Sequence, residues 1–150
     1  VKFKFISHRG NLAGKMPEYE NRPDYLDKAL DLGFEVETDL WCTSNEFFLG
    51  HDQGIYPVSL KWLLDRRKKL WIHTKNQEAF CALSNTPLHY FWHESDLVTF
   101  TSRGIAWAYP GKQPIPGSIS VLPEIHRDNF ELCSGICSDL VAEYADQMKI

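Results

Sequence analysis

Residues 33–41 read GFEVETDLW. Gly33 closes an apolar-periodic run, residues 21–32, and beyond it the period drops from about 3.6 to 2, the change from helix to strand. Asn21 is placed to cap that helix, and Pro23 suits its first turn. In the strand that follows, 34–40, side chains two apart share a face, so Glu35, Glu37 and Asp39 point the same way. Val36, Leu40 and Trp41 mark the segment as largely buried. Carboxylates lined up on a buried strand repel one another, and a hard divalent cation held by Glu37 and Asp39 relieves that repulsion. Glu35, deeper along the strand, reads as an ion-pair partner.

Upstream, residues 2–7 alternate as a strand should and end in His8-Arg9-Gly10. Strand, helix, strand implies parallel neighbours joined by a right-handed crossover. Downstream, residues 47–50 are a short extended piece ending at His51-Asp52. Ser59 caps a helix over 60–69, a third strand occupies 69–75 (KLWIHTK), and a third helix follows over 76–83. Four strand-like runs (88–95, 97–102, 104–109 and 118–124) then leave no room for ordinary helices. A last strand at 132–139 and a closing helix at 140–148 complete the chain. Eight strand candidates in this order predict an α/β fold, a reduced TIM-type (β/α)8 barrel with several outer helices missing, as one domain over residues 1–150.

Parallel barrels carry function at the C-terminal ends of their strands. Those ends deliver His8 and Arg9, Glu37 and Asp39, His73 and Lys75, His93 and Glu94, Glu124 and Asp139, with His51 and Asp52 on the loop beside them. Acids, bases and cations converge on one rim from independent elements.

Composition limits the classes. Of 150 residues 43% are hydrophobic and 24% charged, which suits a globular domain able to bury a core unaided. A net charge of -4 argues against nucleic-acid binding. The basic run at residues 65–69 (DRRKK) reads as a solvated helix end. No stretch approaches the roughly 18 apolar residues of a membrane span. The first residues lack the features of a secretory signal. Cys42, Cys81, Cys133 and Cys137 are poorly spaced for zinc and read as free thiols, so the expected location is the cytoplasm.

Four pieces of the chain, in order, are ISHRGN, EYENRPDYLDKALDLGFEVETDLW, FFLGHD, and late on GICSDL. They hold His-Arg-Gly, Glu-Asn, Gly with Glu-x-Asp, His-Asp, and Gly-Ile-x-x-Asp. Together they resemble the glycerophosphodiester phosphodiesterase family, which is related to the phosphatidylinositol-specific phospholipases C. The likeness covers roughly the first third of the chain and the last strand; at 150 residues this would be a short member. The resemblance implies a barrel, a divalent metal (Mg²⁺ or Ca²⁺, with Mn²⁺ as an alternative) and a small-molecule phosphodiester substrate. It implies His8 and His51 as catalytic acid and base, Arg9 and Lys75 on the phosphate, and Glu37 and Asp39 on the metal. Glu20 matches a glutamate that contacts metal or glycerol.

General chemistry agrees with these roles. Imidazoles exchange protons near neutral pH, and a guanidinium fork binds two phosphate oxygens at once. The third strand departs from the family, with His73 where a third acidic ligand is usual. Either His73 or Glu124 then completes the metal site, or water does. Trp107 and its neighbouring aromatics read either as a pocket for a sugar or glycerol moiety or as core, and His93 as a head-group contact. The expected function is metal-dependent phosphodiester hydrolysis, either directly by water or through a cyclic phosphate. The alternatives are a non-catalytic module that binds a phosphorylated sugar or lipid head group, and a phosphodiesterase acting on a lipid or glycan.

Overall fold

The structure, a computed structural model, describes residues 2–149. The chain runs β1 (Lys4–His8), α1 (Pro23–Asp31), β2 (Glu35–Thr43), β3 (Glu46–Leu49), β4 (Tyr56–Val58), α2 (Leu60–Asp65), β5 (Leu70–Thr74) and α3 (Gln77–Leu83). Short strands follow: β6 (Tyr90–Phe91), β7 (Val98–Phe100), β8 (Ala106–Ala108), β9 (Ile119–Val121) and β10 (Gly135–Ser138), before α4 (Val141–Gln147).

Seven strands form a parallel series in the order β6-β5-β2-β1-β10-β9-β8. β7 pairs antiparallel with β8, and the antiparallel β3–β4 hairpin continues from the second half of β2. The result is a mixed, curled sheet, a half-barrel with four short helices among the described residues. It is not the alternating (β/α)8 barrel that the strand count predicts. The reason lies in chain length. A parallel neighbour requires a crossover of a dozen or more residues, whereas the six residues 92–97 between β6 and β7 permit only a reversal. Hydrogen bonds from Ser102 N to Tyr90 O (2.7 Å) and from Thr99 Oγ1 to Trp92 O (3.2 Å) tie the β7 end of the sheet back to β6.

Two local expectations also change. Asn21 does not cap α1; Arg22 stands at the cap without a side-chain bond. Asn21 sits one residue earlier in the left-handed region (φ 68°) and turns its amide toward β2. The second helix stops at Asp65 rather than Lys69. There Arg66 leaves solvent to pair with Asp27 of α1 (2.7 Å) and to donate to the Trp62 carbonyl (2.9 Å). Ser59 caps α2 as expected, accepting from Trp62 N at 3.0 Å.

Strand alternation sorts the interior into two cores. Val36, Leu40, Leu70 and Ile72 face outward and are covered by Leu26 and Ala29 of α1, Leu63 of α2 and Leu83 of α3. Burial of each such leucine or isoleucine is worth roughly 1.5–3 kcal/mol. Ile6, Trp71, Phe91, Trp107, Ile119, Val121 and Cys137 fill the inner face. Each of five inner-core residues is followed two positions later by a polar side chain at the rim: Ile6 by His8, Trp71 by His73, Phe91 by His93, Trp107 by Tyr109, Cys137 by Asp139. The apolar layer thus forms the floor of the site.

Candidate functional site

Glu37, Asp39 and His73 are buried, and one ligand atom from each lies within 4.8 Å of the others. Parallel pairing explains the meeting. Asp39 is in register with His73 across β2 and β5, and His8 with Glu37 across β1 and β2. Glu37 Oε1 and Asp39 Oδ1 are buried without a hydrogen-bond partner. His73 Nδ1 stands 3.2 Å from Asp39 Oδ1. The second Asp39 oxygen is engaged, by Asn21 Nδ2 at 2.9 Å and by the Arg9 Nε at 3.2 Å. Asn21 further accepts from Thr38 Oγ1 and from the Asp39 N–H, so it locks this turn of β2 in place.

The electrostatics follow from burial. Loss of water and the neighbouring charge of Asp39 push the Glu37 carboxyl well above the usual carboxylate range. Burial works the same way on Asp39, but the facing His73, Arg9 and Asn21 outweigh it and hold that carboxyl low. Two buried carboxylates with orphaned acceptors on the same strand face fit a cation, because an unpaired buried acceptor is otherwise costly. The donor set of two oxygens and one nitrogen is a recognised metal-binding combination.

His8 lies beside this group. Its Nδ1 pairs with Asp139 Oδ1 at 2.8 Å, and its Nε2 is 3.9 Å from Glu37 Oε1. Burial disfavours the imidazolium, but the Asp139 hydrogen bond and the Glu37 charge overcome it, so His8 titrates above the ordinary histidine value. Asn11 Nδ2 donates both to Asp139 (2.8 Å) and to Glu20 (3.0 Å), linking the two acids around His8 and Arg9.

His51 reaches the site by a different route. Gly50 N donates to Asp39 O at 3.1 Å, and Trp41 Nε1 donates to Gly50 O at 2.7 Å, which pins the end of β3 to β2. Gly50 adopts φ 153°, and a side chain there would run into the Gln53 carbonyl. The next residue, half-exposed His51, pairs through Nδ1 with Asp52 Oδ1 at 2.8 Å. Both histidines therefore hold one ring nitrogen on a carboxylate.

The predicted site residues divide as follows. His8, Arg9, Glu37, His51, His73, Lys75, His93 and Trp107 all line one cavity of about 360 Å³. A second cavity of about 480 Å³ adjoins it at His8, Arg9 and His51. Glu20 and Glu124 fall outside the metal-spaced group. Glu20 instead pairs with Arg9 Nη1 at 3.2 Å, and Glu124 accepts from Ser138 Oγ at 2.9 Å. Trp107 is both core and wall: it is 1% exposed and donates through Nε1 to the Tyr109 hydroxyl at 3.2 Å. Tyr109 in turn bonds His93 Nε2. Burial and the like charges of His73 and Lys75 lower His93 to about 4.

Asn11 and the pairing of Asp139 with His8 carry no recognised role at the level of sequence, where Asn21 reads as a helix cap and Tyr109 as one of the aromatics of a sugar or glycerol pocket. Only the asparagine directly after His-Arg-Gly and the Glu-Asn pair at 20–21 are visible signals. A scan against protein-family models and comparisons with curated proteins and with solved structures found no match.

Proposed function

We propose that this domain is a metal-dependent phosphodiesterase that cleaves a small glycerophosphodiester-type substrate by acid–base catalysis from two histidines. The observation that supports it most is the shared cavity. In it two carboxylate-paired imidazoles, an arginine and a lysine meet Glu37 and His73, behind which buried Asp39 completes a metal-spaced group with orphaned oxygens.

With Nδ1–H donated to Asp139, His8 presents Nε2 as a base; with Nδ1 on Asp52, His51 presents its own Nε2. His8 takes the proton of the attacking hydroxyl as its oxygen bonds phosphorus. The bond to the leaving oxygen breaks, and His51 protonates that oxygen; either a substrate hydroxyl or water serves as nucleophile. Arg9, held between Glu20 and Asp39, and Lys75, which makes no ion pair among the described residues, offset charge on the phosphoryl oxygens. Glu37, Asp39 and His73 would hold a divalent cation, whose positive charge would favour the build-up of negative charge in the transition state.

The test uses a chromogenic aryl phosphodiester and glycerophosphocholine-type diesters, with and without chelator. Turnover should require the added ion, and His8→Ala and His51→Ala should each cost roughly 10²–10⁴ in rate. Full activity in either variant sinks the assignment.

A second reading is favoured by the imidazole in place of a third acid: a module that binds a phosphorylated sugar or lipid head group without turning it over. Metal-dependent binding of the diester with no hydrolysis would select it. No helix among the described residues is long and apolar enough to cross a membrane. The four cysteines are free, which supports a reducing compartment and so the cytoplasm.

A further inference from the structure

We propose that the Glu37–Asp39–His73 group is selective for a first-row transition ion of the Mn²⁺ to Zn²⁺ series and discriminates against Mg²⁺ and Ca²⁺. This deepens the phosphodiesterase reading and rests on it only for the ion's role, since the binding preference follows from the donors alone.

Three features of the group point this way. The first is the donor count. Asp39 Oδ2 is already taken by Asn21 (2.9 Å) and Arg9 (3.2 Å), which leaves Oδ1 as a single ligand atom. Glu37 Oε1 is the other orphaned oxygen. Ca²⁺ prefers six to eight oxygens, often from bidentate carboxylates, and the group is poor in them.

Charge is the second feature. Hard ions are held largely by the negative charge of their ligands. Here the two carboxylates share their field with the Arg9 guanidinium, 3.2 Å from Asp39 and itself only partly exposed. The pull on Mg²⁺ or Ca²⁺ is correspondingly reduced.

The imidazole is the third. His73 is 8% exposed, and its ring stacks against Phe91 (centroids 5.1 Å apart, planes 15°) and His93 (4.5 Å, 19°), which lie beside each other on the neighbouring strand side with centroids 6.4 Å apart. His93 is held in turn, its Nε2 on the Tyr109 hydroxyl. A nitrogen donor fixed in this way contributes little to a hard ion. It strengthens binding along the order Mn²⁺ to Zn²⁺, and its rigid setting lowers the cost of organising the site.

Calorimetric titration of the chelator-stripped protein with Mn²⁺, Co²⁺, Zn²⁺, Mg²⁺ and Ca²⁺ tests the preference without any substrate. The visible absorption of bound Co²⁺ reports whether nitrogen is in its ligand field. The wild type should bind Mn²⁺, Co²⁺ and Zn²⁺ on the order of tenfold or more tighter than Mg²⁺. His73→Glu should weaken Co²⁺ and tighten Mg²⁺ so that the gap closes. Equal affinity for Mg²⁺ and Co²⁺ in the wild type overturns the proposal, and that comparison does not depend on the variant folding. An unchanged Co²⁺ affinity and spectrum in a folded His73→Glu protein overturns it as well. Tight, selective transition-metal binding without hydrolysis of any diester would leave this inference standing and remove the phosphodiesterase reading instead.

Discussion

His8 has a carboxylate on each side, Asp139 at 2.8 Å and Glu37 at 3.9 Å, and they act on different nitrogens. Asp139 fixes the tautomer; Glu37 leaves Nε2 exposed to the cavity without a close acceptor. In Asp139→Asn the anionic acceptor becomes a neutral amide while burial remains, so the His8 titration midpoint should move down from its raised native position. Proton NMR of the His8 ring over a pH series measures this. An unmoved midpoint would mean that Asp139 is not what holds the imidazolium. Arg9 is the companion case. Its left-handed backbone (φ 59°) turns the guanidinium inward to Glu20 and Asp39, a strained conformation of the sort that clusters at functional sites.

At the level of elements, β2 organises the site because it has partners on both edges. β1 lies along its first half, β3 takes over that edge further on, and β5 occupies the other edge. The β1 edge continues from Arg9 N on Glu37 O to Gly50 N on Asp39 O, so the loop carrying His51 starts where the first strand stops. Gly50→Ala should disturb that junction, because its φ of 153° and the nearby Gln53 carbonyl leave no space for a methyl group. Displacement of His51 by about 1 Å is enough to cost on the order of 10²-fold in turnover. Metal affinity should be retained, since Glu37, Asp39 and His73 lie on β2 and β5. A variant with native kcat would show that the position of His51 does not depend on this glycine.

For the molecule as a whole, His89 should be one source of acid lability, beside His93. His89 is 3% exposed, packs on Trp71 with centroids 4.0 Å apart, and bonds Thr101 Oγ1 at 2.7 Å. Burial, then the charges of Arg103 and Lys4, lower it to about 3. An unfolded histidine titrates near 6.5, so between these values the unfolded chain binds the extra proton. Stability from this residue is complete above about pH 6.5 and is lost as pH falls toward 3. Between pH 7 and pH 5 the loss amounts to about 2 kcal/mol. Denaturant unfolding of His89→Gln against wild type at both pH values should show a variant less sensitive by about that amount. Identical pH sensitivity would place the proton uptake elsewhere.

Much of this architecture was legible locally. The period change at Gly33, the Ser59 cap and the shared face of Glu37 and Asp39 depend on neighbours a few residues away, where backbone sterics and alternation act directly. The five core-then-rim pairs, such as Ile6 with His8, are likewise written in single strands. Tertiary structure alone decided which edges meet. β7 runs backward because six residues cannot carry a crossover, and the strand pattern of residues 97–102 is the same in either direction. Asp139 meets His8 across 131 positions, Arg66 leaves its helix for Asp27, and Asn21 abandons a cap for β2. His73, rather than Glu20 or Glu124, becomes the third corner of the metal-spaced group, because Asp39 and His73 are in register on adjacent strands. Periodicity is a property of one segment. Register and partner choice depend on loop lengths and on what each sheet edge has left to bond, and these are settled only when the whole chain closes on itself.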